Sequence, residues 1–185
     1  MPFTKTHIPD LLVFEPRVFE DSRGYFFESY NANTFSAEGI DIKFVQDNQA
    51  KSCYGVIRGL HYQQDPFAQT KLVRVLSGAI LDVAVDIRKG SPTYGQVYAI
   101  ELSADNKKQL LVPKGFAHGY SVISEAAEVM YKCDAFYNKQ TEGGIAYNDP
   151  KLNIDWQVPA DKAIISEKDL VYPGIDDCVN NFVFG

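Results

Sequence analysis

The stretch KLVRVLSGAILDVAVDI (71–87) decides how the rest of the chain is read. Its two runs, Lys71–Leu76 and Ala79–Ile87, alternate with the period of two that belongs to strands rather than helices. In the first run Lys71 falls on the same side as Val73 and Val75. In the second, Leu81, Val83, Val85 and Ile87 share one face, while Asp82, Ala84 and Asp86 share the other.

The pattern repeats in both directions. Short apolar runs bounded by turn residues predict strands at Leu11–Phe14, Tyr25–Tyr30, Lys43–Gln46 and Gly55–Arg58, and again at Gln96–Leu102, Leu110–Val112, Tyr120–Ile123 and Ala127–Lys132. RKGSP (88–92) and NDP (148–150) are turn signals between them. Helical period is confined to short stretches near Asn33–Glu38 and Lys162–Leu170. No repeat or linker divides the chain, so residues 1–185 are expected to form one domain, all-β, built as a sandwich, a barrel or a double-sheet jelly roll.

Parity also picks out polar residues. His118 extends a face shared by Tyr120 and Val122, and Tyr131 lies with Val129 and Cys133. With Lys71, that puts three polar side chains on otherwise apolar strand faces. If those faces line a barrel interior, a polar site forms inside it. An ammonium among valines costs several kcal/mol unless it has a partner. The bland alternatives are that Lys71 points to solvent and that Tyr131 is core packing with a satisfied hydroxyl.

Composition narrows the partners. Apolar residues make up 45% and charged residues 23%, which is ordinary for a globular chain and argues against disorder. A net charge of −6 disfavours nucleic acid and anionic membrane, but a local Arg/Lys cluster for a small anionic ligand remains compatible with it. No window is apolar enough to span a membrane, and MPFTKTHIPD (1–10) lacks a secretory pattern. Three scattered cysteines (Cys53, Cys133 and Cys178) form no framework, so a cytoplasmic setting is expected. GxGxxG, P-loop, GxSxG and HExxH signatures are all missing.

VIRGLHYQ (56–63) holds one of only three histidines, His61. Alone it reads as a metal ligand, an acid or base, or a core histidine. The metal reading is the weakest, since Gln63 stands where an HxH pair would need its second imidazole and only His118 is left as a partner. No metal and no cofactor is expected. Arg23 reads as a turn residue able to pair with Asp21 or Glu28.

Seven stretches, taken together and in order, resemble the dTDP-4-dehydrorhamnose 3,5-epimerases, sugar-nucleotide enzymes with a cupin jelly-roll fold. They are DSRGYFFESY (21–30), FVQDNQAKS (44–52), GVIRGLHYQ (55–63), residues 69–95, LSADNKKQLLVPKGFAHGYSV (102–122), MYKCDAFYNKQTEGGI (130–145) and NDPKLNIDW (148–156). The likeness covers about residues 8 to 170; the stretch after Leu170 departs from it.

The resemblance implies inversion at C3 and C5 of a dTDP-4-keto-6-deoxyhexose through an enolate, without metal or redox cofactor. It makes His61 the base, Asp169 its orienting carboxylate, Tyr131 the acid on the opposite ring face and Lys71 the group that stabilises the C4 oxyanion. Arg23, Arg58 and Lys168 match diphosphate-binding positions, for which arginine's planar donors are suited. Gln46, Asp47, Asn48, Glu28, His118 and Glu142 match other substrate-binding positions. Tyr137 resembles the residue that stacks on thymine, opposite Phe19. The family's dimers further imply that the segment up to about residue 30 crosses to the partner, so that Arg23 and Glu28 serve the neighbouring site. Three other readings remain open: an epimerase acting at C3 or C5 alone, a non-catalytic sugar-nucleotide-binding cupin and a metal-dependent cupin oxygenase.

Overall fold

A computed structural model describes residues 2–185. The strands in chain order are β1 (Phe3–Lys5), β2 (Leu12–Phe14), β3 (Phe19–Asp21), β4 (Gly24–Phe26), β5 (Gln46–Cys53), β6 (Val56–Gln63), β7 (Lys71–Ser77) and β8 (Ala79–Asp86). They continue as β9 (Val97–Ser103), β10 (Gln109–Val112), β11 (Phe116–Val122), β12 (Ala126–Cys133), β13 (Glu142–Gly144) and β14 (Ile164–Ile165). A short helix, α1 (Ala32–Ser36), is capped by the Asn31 side chain, which accepts from the Asn33 N–H.

Two sheets carry the fold. The first runs β1-β2-β10-β7-β12-β5 and the second β13-β6-β11-β8-β9, with all of these pairs antiparallel and β14 added in parallel beside β6. Val73, Val75, Val129 and Leu110 from the first sheet pack against Ile80, Ala84, Tyr120 and Val122 from the second. This interior face is the one the alternation assigns to Lys71, His118 and Tyr131. The opposite face of β8, with Leu81, Val83 and Val85, is also buried, under Leu152, Trp156, Ile175 and Phe182 from the chain's last third. Residues beyond Leu170, Ile175 and Phe182 among them, therefore form part of the core cover.

Several boundaries differ from the sequence reading. The strand expected at Tyr25–Tyr30 is only Gly24–Phe26, half of an exposed hairpin with β3. The strand expected at Lys43–Gln46 instead begins at Gln46 and runs to Cys53. It was illegible because both faces of this edge strand are polar: Gln46, Asn48 and Ser52 alternate with the exposed Asp47, Gln49 and Lys51. The helix expected over Lys162–Leu170 is two 3-10 turns, Ala160–Lys162 and Asp169–Val171, flanking β14. There the β-branched pair Ile164–Ile165 joins the edge of β6.

Candidate active site

β6 extends past the expected Arg58 to Gln63 and carries the exposed Arg58 and the half-buried His61 three residues apart. Strict alternation would put Arg58 and His61 on opposite faces. The register between β6 and β11 shifts between His118 and Tyr120, next to Gly59. Gly59 sits at φ +128° against Gly119, where an added Cβ would meet the Gly119 Cα at 2.5 Å. The irregularity puts Ile57, Leu60 and Tyr62 in the outer core and turns His61 inward. Arg58 reaches Ser52 of β5 through Nε, 3.2 Å.

A cleft of about 300 Å³ opens at this end of the barrel, lined by His61, Tyr62, Gln63, Gln69 and Lys71, and by Gln46, Asn48, Tyr131, Tyr137 and Glu142. His61 comes from the second sheet, and Lys71 and Tyr131 from the first, so these groups approach the cavity from opposing walls.

The His61 Nε2 lies 2.7 Å from Asp169 Oδ1, and the other Asp169 oxygen accepts the Gly59 N–H at 3.2 Å. Asp169 is 3% exposed. Burial alone would raise its pKa, but His61, the Gly59 N–H and Ser166 outweigh burial and hold the carboxyl below its usual range. An ionised carboxylate only accepts, so Nε2 carries the hydrogen and Nδ1 presents its lone pair. An imidazole oriented in this way is able to act as a base.

Burial pushes the Tyr131 phenol up to about 12, partly offset by the charge of Arg58. Its hydroxyl therefore keeps its proton at neutral pH, as an acid must. Burial lowers the Lys71 pKa, opposed by the attraction of Cys133, Asp82 and Glu142. Lys71 faces the cleft, and among the described residues no hydrogen-bonded partner takes up its donors.

The binding residues divide into three groups. Glu142 and Lys168 form an ion pair, and the Tyr137 hydroxyl donates to Glu142 Oε2 at 2.9 Å. Gln46 donates to Asn48 Oδ1 at 3.1 Å and accepts the Tyr137 N–H, so these side chains form one connected wall. His118 lies one layer deeper: it is buried, with Nε2 2.8 Å from the fully buried Asp82 Oδ1, and it lines a small void shared with Lys71 rather than the cleft. Asp47, Arg23 and Glu28 are not brought to the cleft of this chain. Asp47 points to the outer face of β5 and pairs with Lys132 at 3.0 Å, because adjacent strand residues face opposite ways. Arg23 pairs with Asp21 on the exposed β3–β4 hairpin, and Glu28 accepts from Asn31. Phe19 is exposed on the same hairpin, under the guanidinium of Arg17.

Sequence reasoning missed the structural use of Gln63. Its amide donates to the Phe67 and Phe136 carbonyls and accepts the Asn138 N–H at 2.6 Å, pinning the loop that carries Tyr137. Only its place two residues after His61 signalled a role. Asp82 was visible only as a carboxylate sharing a strand face with Ala84 and Asp86, and its pairing with His118 needs two strands in register.

A family model described as dTDP-4-dehydrorhamnose 3,5-epimerase matches residues 5–177. The chain belongs to the dTDP-4-dehydrorhamnose 3,5-epimerase family. It is 53% identical over 171 residues to the enzyme of that name from Shigella flexneri, covering 92% of this chain and 93% of the relative. The crystal structure of a dTDP-4-dehydrorhamnose 3,5-epimerase from Elizabethkingia anophelis superposes with a TM-score of 0.91 at 52% identity, covering 95% of this chain and 96% of that one. A dTDP-6-deoxy-D-glucose-3,5-epimerase from Legionella pneumophila, solved in complex with dTDP-4-keto-L-rhamnose, gives 0.90 at 45% identity over 95% and 93%. These are isomerases acting on dTDP-sugars, and their fold is the cupin-type double sheet seen here.

Proposed function

We propose that the protein inverts both C3 and C5 of dTDP-4-dehydro-6-deoxy-D-glucose, supplying the 4-keto-L-sugar nucleotide for dTDP-L-rhamnose. The C4 ketone acidifies the hydrogens on its two neighbours. His61 Nδ1 takes a proton from one ring face, and Lys71 stabilises the charge that develops on the C4 oxygen. Tyr131 then delivers a proton to the opposite face. The observation that carries this reading is the His61–Asp169 pair opening onto a cleft shared with Lys71 and a protonated Tyr131.

Arg58, Lys168, Gln46, Asn48, Tyr137 and Glu142 bind the nucleotide and diphosphate in this reading. Arg23 and Glu28 act in the cleft of a second copy, with the β3–β4 hairpin crossing between subunits. Exposed Phe19, Tyr25 and Phe26 on that hairpin support a partner surface. Mixing Arg23→Ala with His61→Ala chains tests the sharing: each is inactive alone, and the mixed dimer regains activity because one of its sites has both residues intact. No recovery in a verified heterodimer contradicts the shared site. Product analysis by NMR separates double inversion from the single-centre alternative, since a C3-only or C5-only product sinks the 3,5 assignment.

A further inference from the structure

We infer that Tyr172, in the short segment that follows Asp169, is a positioning residue for the base. This inference rests on the reading of His61 as that base. The Tyr172 ring meets the His61 ring edge to face, with centroids 5.7 Å apart and planes at 67°. It lies over Gly144, the residue of β13 in register with His61. A Cβ on Gly144 would meet the Tyr172 ring carbons at 2.5 Å, so the ring occupies the space that a side chain would fill.

Tyr172 also closes the segment that delivers the base's partner. Ser166 starts the turn by accepting the Asp169 N–H at its carbonyl (3.0 Å) and at its hydroxyl (3.2 Å). Asp169 then reaches His61, Lys168 pairs with Glu142, and the Pro173 carbonyl accepts the Ala146 N–H at 2.8 Å. Between these tethers, the apolar contact that fixes the segment beside β13 is the Tyr172 ring in the slot over Gly144. His61 is thus braced by Asp169 at Nε2 and by Tyr172 at the ring.

The ring, not the hydroxyl, does this. The Tyr172 hydroxyl is buried with no partner in hydrogen-bond geometry among the described residues, and burial raises its pKa against the opposing pull of the nearby Lys168. An unpaired buried hydroxyl costs stability rather than supplying it. Removing it while keeping the ring should leave positioning intact.

The test uses the full-length protein with Tyr172→Phe, Tyr172→Ala and Gly144→Ala variants. Gly144 does not occupy the left-handed region, so alanine there perturbs the ring and not the backbone. Displacing a base by about 1 Å costs about 10²-fold, and a loss of that order is expected in kcat for Tyr172→Ala, with KM nearly unchanged. Tyr172→Phe should keep wild-type kcat. Gly144→Ala should slow the wild type but cost nothing further in the Tyr172→Ala background.

A low-field proton resonance from the His61–Asp169 bond supplies a readout that a merely structural role would not move. It should vanish in Tyr172→Ala, as in Asp169→Asn, and persist in Tyr172→Phe. The His118–Asp82 resonance serves as the control for an intact fold. Wild-type kcat in Tyr172→Ala, loss of rate with the His61 resonance retained, or equal losses in the Phe and Ala variants would each overturn the inference. Failure of the underlying reading looks different, because His61→Ala itself would then remain active.

Discussion

In the proposed mechanism His61 and Tyr131 have opposite tasks, and their surroundings set them apart. Asp169 fixes the His61 hydrogen on Nε2 and leaves Nδ1 to accept, while burial keeps the Tyr131 proton in place up to about pH 12. General base catalysis contributes about 10²–10⁴-fold, so His61→Ala is expected to lower kcat by that order with little change in substrate affinity, measured by steady-state kinetics. Lys71 governs the alkaline side. Burial lowers its pKa from the ordinary lysine value, so its charge is lost with rising pH before the Tyr131 proton is. The kcat/KM profile is accordingly expected to fall on an alkaline limb that begins below about 10.4, the ordinary lysine value. In Lys71→Arg that limb should disappear from the residual activity, because a guanidinium keeps its charge there. An unchanged limb in that variant would assign it to another group.

At the scale of elements, the strands written in apolar alternation were legible and those written in polar residues were not. The parities of β7, β8, β11 and β12 put Lys71, His118 and Tyr131 on inward faces, because valines at every second position leave one solution to the pleat. β5 escaped detection because an edge strand that lines a polar cleft has no apolar face. The inward turn of His61 was also out of reach, since it depends on a register irregularity with β11 that alternation alone does not encode. Asp169 was legible only through the family likeness, and Tyr172 not at all, because its partner Gly144 is 28 positions away in sequence. The β6–β11 approach makes its own prediction. A Cβ at Gly119 would meet the Arg58 carbonyl oxygen at 2.6 Å and the Gly59 Cα at 3.0 Å. Gly119→Ala is expected to cost about 1–3 kcal/mol of stability, typical of overpacking, and to displace His61 as well. Thermal denaturation with parallel kinetics checks both. A variant with unchanged Tm and kcat would show that the strands do not need this contact.

The whole molecule is tied together by carboxylates that are ionised in the folded state. Burial alone would raise Asp86, yet its bonds to Arg88, Ser91 and Thr93 hold it below its usual value, and Arg88 also bridges to Asp10 near the N-terminus. Asp169 and Glu142 are lowered in the same way, against burial, by His61 and by Lys168 with Tyr137. Depressed folded-state values stabilise the protein above the unfolded carboxylate range of about 4, and that stability is lost as pH falls through the folded values. Stability should therefore hold near neutrality and decline in acid, and Asp86→Asn should flatten the acid decline in denaturant titrations. Since His61, Lys71 and Tyr131 meet only where the two sheets close on each other, the central claim concerns their joint chemistry at both carbons. Turnover of dTDP-4-dehydro-6-deoxy-D-glucose in D₂O, read by NMR and mass spectrometry, tests it most directly. The account predicts one deuterium at C3 and one at C5 with the intact protein, and exchange at neither carbon with His61→Ala. Deuterium at a single carbon, or undiminished exchange without His61, would contradict it.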